Sequence, residues 1–169
     1  MSRPGRFDNA FMRPPEPHDA VDKALRQRIR AWCETGAVPH LTEPLAVASI
    51  APHAGLDGVA CELDGRHALA RLGRWQGWAW RLQVMARDHL AYRPDRGDPW
   101  DCGWWREGPL DIAAAFRPRR ATLLLVDEQS HSVSEALLAT LRVGRLSYSR
   151  PVRVLLVCTS LVVGIPALQ

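Results

Sequence analysis

Residues Ala121–Glu128 read ATLLLVDE. Thr122 to Val126 are five consecutive apolar or β-branched positions, with arginines before them and Asp127 and Glu128 behind. Successive side chains of a strand point to opposite faces, so a half-exposed strand alternates apolar and polar residues. A continuous apolar run marks a strand covered on both faces, as in the parallel sheet of an α/β domain. The two carboxylates are then expected at its C-terminal tip.

Downstream, HSVSEALLATLRVGRL places Val133, Leu137, Leu138 and Leu141 on one helical face, with Gly144 at the stop. PVRVLLVCTS then repeats the buried-strand theme and ends in small polar residues. Strand 121–126, helix 133–143 and strand 152–158 therefore form a βαβ unit, expected to be parallel and right-handed. The second strand of this unit is expected to form an open sheet edge and surface that another chain could cover.

Upstream, PLDIAAAFRP reads as a short helix stopped by Pro118. Residues 75–109 hold six of the seven tryptophans and a turn-rich run, YRPDRGDPWDCGWWREGP. Trp78, Trp80, Leu82 and Val84 alternate strictly, which favours a strand over Trp78–Ala86, although Leu82, Met85 and His89 have helical spacing. Leu45–Ile50 reads as a strand entering the turn-prone APHAGLDG, and VACELDGRHALARLGRW reads as a helix with Gly65 as a weak point in its middle. Val21, Leu25, Ile29 and Trp32 form the stripe of a first helix ending before Gly36. Residues 1–18, with four prolines, read as a flexible N-terminal arm, and 19–169 as a single α/β domain with a Trp-rich insertion at about 75–109.

Bulk properties agree with one globular domain. At 169 residues, 47% hydrophobic and 24% charged, the chain can bury one core and is short for two. The net charge of +4 comes almost entirely from arginine, since Lys23 is the only lysine. Such a mild excess permits nucleic acid, acidic protein surfaces or phosphates as partners and selects none of them. Cysteines 33, 61, 102 and 158 form no CxxC pair, which excludes a zinc ribbon or thioredoxin-like motif and fits reduced thiols in the cytoplasm. The N-terminus has no apolar signal region, and Val154–Leu168 is too short and too interrupted for a membrane span, so a cytoplasmic location without membrane contact is expected.

The run LLLVDE, then a helix, then VRVLLVCTS, resembles the Walker B strand and following sensor strand of P-loop ATPases, especially the AAA-like and signalling ATPases of bacteria. The Leu45–Ile50 strand and its turn lie about 70 residues earlier, a spacing common in that family. The resemblance implies a three-layer α/β fold with a short, mainly parallel sheet, like a truncated P-loop core. It implies that Asp127 would hold Mg²⁺ through water, that Glu128 would polarise the attacking water, and that Thr159 or Ser160 would stand beside the γ-phosphate. Laid on the family's G-x-x-x-x-G-K-[ST] loop, APHAGLDG puts Ala51 at the first glycine, Leu56 at the second, Asp57 at the lysine and Gly58 at the hydroxyl.

Every specific position of that loop has departed. A carboxylate at 57 repels triphosphate oxygens, the missing hydroxyl at 58 removes a magnesium ligand, and Leu56 obstructs close backbone approach. Ala51, Gly55, Asp57, Gly58 and Thr159 are thus a degenerate nucleotide loop and sensor, and Asp127 and Glu128 are catalytic, with Mg²⁺ on Asp127, only if the protein is active. The expectation is no cofactor, with ATP and Mg²⁺ the alternative if an arginine or a lysine from another subunit substitutes.

Weaker candidates are His53 and His131 as acid or base and Cys158 as nucleophile. Trp100, Trp104, Trp105 and Arg106 are the expected interaction residues, facing a protein partner such as an intact ATPase or a second copy. With Arg87, Arg93 and Arg96 they also suit a nucleic-acid accessory. The function expected is a non-catalytic or weakly nucleotide-binding ATPase-like module acting through protein association.

Overall fold

The computed structural model describes residues 11–16, 21–38, 40–89, 95–127, 131–159 and 164–168. In chain order the elements are β1 (Met12–Arg13), α1 (Lys23–Glu34), β2 (Leu45–Ile50), α2 (Leu56–Leu63), α3 (Arg66–Arg71), α4 (Arg74–His89), β3 (Asp101–Trp105), α5 (Leu110–Ala115), β4 (Thr122–Asp127), α6 (His131–Gly144) and β5 (Val152–Val157). The strands form one sheet in the order β1-β3-β4-β5-β2, parallel except for β1.

The uninterrupted apolar runs are explained by helices on both faces. Leu123 and Leu125 of β4, Leu155 and Val157 of β5, and Ala48 and Ile50 of β2 share one core with Leu25, Ile29 and Cys33 of α1 and Leu56, Val59 and Leu63 of α2. Leu124, Val126, Val154 and Leu156 point the other way, into a second core with Ala113 of α5 and Leu137, Leu138 and Leu141 of α6. The protein is therefore a three-layer α/β fold with a mainly parallel sheet.

Three expectations change. Trp78–Ala86 lies within helix α4: Gly77, Trp80 and Val84 turn inward at spacings of three and four, while Trp78 and Leu82, members of the alternating set, are exposed. The last strand, β5, is not at an edge. It is buried throughout and paired on both sides, with β4 and β2. Beyond it, the tail meets the outer side of β2, where the Ser49 N–H donates to the Pro166 carbonyl at 2.9 Å and the Leu168 N–H to the Ser49 carbonyl at 2.7 Å.

The third change concerns Met12–Arg13, inside the stretch expected as a flexible arm. These residues pair antiparallel with Trp104 and Trp105, and Phe11 and Met12 are fully buried. Phe11 stacks on Phe116 at 4.1 Å. Residues 1–10, 17 and 18 of the expected arm lie outside the described residues.

Two local features fix the helices. Asp22 caps α1 by accepting from the N–H groups of Ala24 and Leu25. Gly65 splits α2 from α3 at a left-handed φ of 82°, and a Cβ there would lie 2.6 Å from Trp80 Cη2 of α4. Glycine is thus required both for the turn and for the close approach of α4.

Candidate functional site

In open α/β sheets ligands bind at the C-terminal ends of parallel strands, where successive connections leave to opposite faces. Here β2 hands the chain to α2 on one face and β4 hands it to α6 on the other, with β5 between them. The register places Ile50, Val157 and Asp127 in one row across that end. Asp127 is exposed, about 10 Å from Ile50 by two strand spacings. Ala51 and Thr159 are exposed at the same end, so the structure brings Asp127, Thr159 and the 51–58 segment together. Glu128 and Ser160 lie outside the described residues, as does the side chain of His131.

The loop that would cradle phosphate is only five residues, 51–55, between β2 and α2. It folds on its own histidine. The Gly55 N–H donates to His53 Nδ1 at 3.0 Å, and the Leu56 N–H donates to the His53 carbonyl at 3.1 Å. An anion nest works by converging successive N–H groups on one point, and two of these are turned inward. His53 Nε2 lies 3.6 Å from Asp22 Oδ2, which ties the loop to α1. The N–H groups of Leu25 and Ala24, with His53 nearby, hold the Asp22 carboxyl below its ordinary range.

Asp57 is engaged in two hydrogen bonds. Its Oδ1 accepts from Trp104 Nε1 at 2.8 Å and from the Glu16 N–H at 3.2 Å. One carboxylate in the first turn of α2 therefore fastens β3 and the N-terminal segment. Nearby Arg66, buried with Asp64, reinforces that segment by donating to the Pro15 carbonyl at 3.3 Å. Gly58 is buried within α2.

The expected interaction residues are placed in and around the sheet. Trp100 is 3% exposed within the core, Trp104 packs against the same core, and Trp105 packs on the opposite face; of the four, only Arg106 is exposed. The exposed tryptophans are Trp75 (85%) and Trp78 (60%) of α4, followed by Leu82 and Met85. Their three-four-three spacing is legible in the sequence, but it is overlaid by the alternation of residues 78–84.

A cavity of about 390 Å³ lies at the opposite end of the sheet, among Trp80, Val84 and Arg87 of α4 and Trp100, Arg120 and Arg150 before the strands. Arg120 is already engaged, forming a two-pronged pair with Asp88 at 3.0 and 2.5 Å. Among the described residues no group of three His, Cys, Asp or Glu could hold a metal ion, and no helix is long and apolar enough to cross a membrane. All four cysteines, Cys158 included, are reduced and buried. Compared with protein-family models, curated proteins and solved structures, the chain matches none of them.

Proposed function

We propose that this chain is a non-catalytic, ATPase-like module of the cytoplasm that works through protein association, with an intact ATPase as the partner it would regulate. The observation that carries the reading is the bond between Asp57 and Trp104: a carboxylate stands at the lysine position and is held there by the fold. Like-charge repulsion with phosphate, added to a loop whose N–H groups fold inward, weakens nucleotide binding at the 51–58 segment. The association half of the reading is supported by the exposed tryptophans of α4, since contiguous apolar surface of this kind marks interaction sites.

Titration of the purified chain with fluorescent ATP and Mg²⁺ tests the reading. No saturable binding below millimolar concentration is expected. Micromolar binding abolished by Asp127→Ala would instead establish an active magnesium-dependent nucleotide site and overturn it.

A further inference from the structure

Helix α4 presents Trp75, Trp78, Leu82 and Met85 to solvent, and their steps of three, four and three residues place them within about 80° of arc. Gly77, Trp80 and Val84 occupy the opposite side, where Gly77 approaches Leu69, Trp80 approaches Gly65 and Val84 is buried. Four large apolar groups aligned at alternating steps of three and four have the spacing of a helix-pairing seam. Along one flank Ala79 and Ala86 leave room for close approach of another backbone, and along the other lie Arg74 and Arg81.

The charge around this seam has one sign. Between Asp64 and Asp88 the chain has no acidic residue and five arginines, of which Arg66 is paired with Asp64 and Arg87 with Asp98. Arg71, Arg74 and Arg81 form no ion pair among the described residues. Asp88, the first acid after the seam, is already taken by Arg120. We infer that α4 docks an acidic amphipathic helix of a partner protein, its apolar ridge against Trp75, Trp78, Leu82 and Met85 and its carboxylates against Arg74 and Arg81. This inference rests on the reading of the chain as an association module and names the surface and the partner's chemistry.

A second copy of the chain is the poorer occupant. In an antiparallel α4 pair Arg81 meets its own counterpart, and Asp88 is not available to relieve it. An anionic bilayer is poorer as well, because a flat surface engages both flanks of a helix and the second flank here is Gln76, Ala79, Gln83 and Ala86, without cations.

The test uses the full chain and two labelled 21-residue helical peptides with leucine at the seam positions, one flanked by glutamate and one by lysine. Fluorescence anisotropy is expected to show the acidic peptide binding at least tenfold more tightly than the basic one, with affinity falling as salt rises. Trp78→Ala and Leu82→Ala should each weaken it about tenfold, with the circular dichroism spectrum unchanged. Arg74→Gln/Arg81→Gln, which leaves the apolar seam intact, should erase the preference for the acidic peptide. Equal binding of both peptides, no binding of either, binding to phosphatidylserine vesicles without binding to the peptide, or a dimer dissolved by Leu82→Glu overturns the inference. The ATP titration on the same preparation separates the two levels. A blank titration with a failed peptide test removes only the docking surface, whereas micromolar ATP binding removes the reading beneath it.

Discussion

Asp57 Oδ1 and Trp104 Nε1 lie 2.8 Å apart, joining the first turn of α2 to strand β3. The bond accounts for a carboxylate at a position that would otherwise be read only as a defect. Replacing it with lysine leaves the indole N–H without its acceptor and brings a cation to the same place. Asp57→Lys is expected to lower stability by about 1.5–3 kcal/mol, the range for a hydrogen bond to a charged group, and to gain no ATP affinity. A cycle with Trp104→Phe should show coupling of roughly 1 kcal/mol or more in urea unfolding. Additive effects would mean that the bond does not form in solution.

Arg153 is fully buried in the interior strand β5, and its guanidinium donates to the carbonyls of Thr35, Glu43, Cys33 and Val152 at 2.6–3.2 Å. Two of those carbonyls belong to the end of α1, whose dipole favours a cation. Arg153→Met keeps most of the volume and leaves the carbonyls unpaired, so a loss of about 3–5 kcal/mol is expected. Arg153→Lys, with three donors and no planar fork, should recover only part of it. Equal unfolding midpoints for wild type and Arg153→Met would refute this role.

Gly65 combines a left-handed φ with a 2.6 Å approach to Trp80 Cη2. Gly65→Ala is expected to cost about 1–3 kcal/mol through backbone strain and displacement of α4. Trp80→Leu should relieve the steric part, so the double variant is expected to lose less than the sum of the single changes.

The cysteines report on the core. Burial pushes the Cys33 thiol up to about 12. Because its folded value lies above the unfolded one, folding favours the protonated thiol. That stability is complete below about pH 8.5 and declines as pH rises toward 12, by up to about 1.4 kcal/mol per unit. Urea midpoints measured from pH 8 to 11 should fall, and Cys33→Ala should flatten the fall. In native buffer a thiol-specific disulfide reagent should react with none of the four cysteines within minutes, and with all four in denaturant; a fast native reaction would contradict their burial.

Much of the scaffold is legible in local pattern. The runs Leu45–Ile50, Thr122–Val126 and Val152–Val157 are mostly apolar without strict alternation, with Ser49 and Arg153 as polar members, and a strand covered on both faces has that pattern. The stripe of α1, its Asp22 cap and the Gly65 break are likewise properties of a few neighbouring residues. Helix α4 was ambiguous because tryptophans at even positions satisfy a period of two while its inward line satisfies a period of 3.6. Which period holds depends on what lies opposite each ring.

The sequence by itself determined the layered α/β class, the parallel β4-α6-β5 unit and the carboxylate at Asp127, since each component element is a pattern within about 15 residues. Only the tertiary structure decided that β5 is paired on both sides, that Met12–Arg13 pairs beside Trp104 and Trp105, that Asp57 answers Trp104 across 47 positions, and that Trp75 and Trp78 face water while Trp100 does not. These are pairings between distant segments. The free energy that selects them comes from burial and hydrogen bonds absent from any local window of the chain.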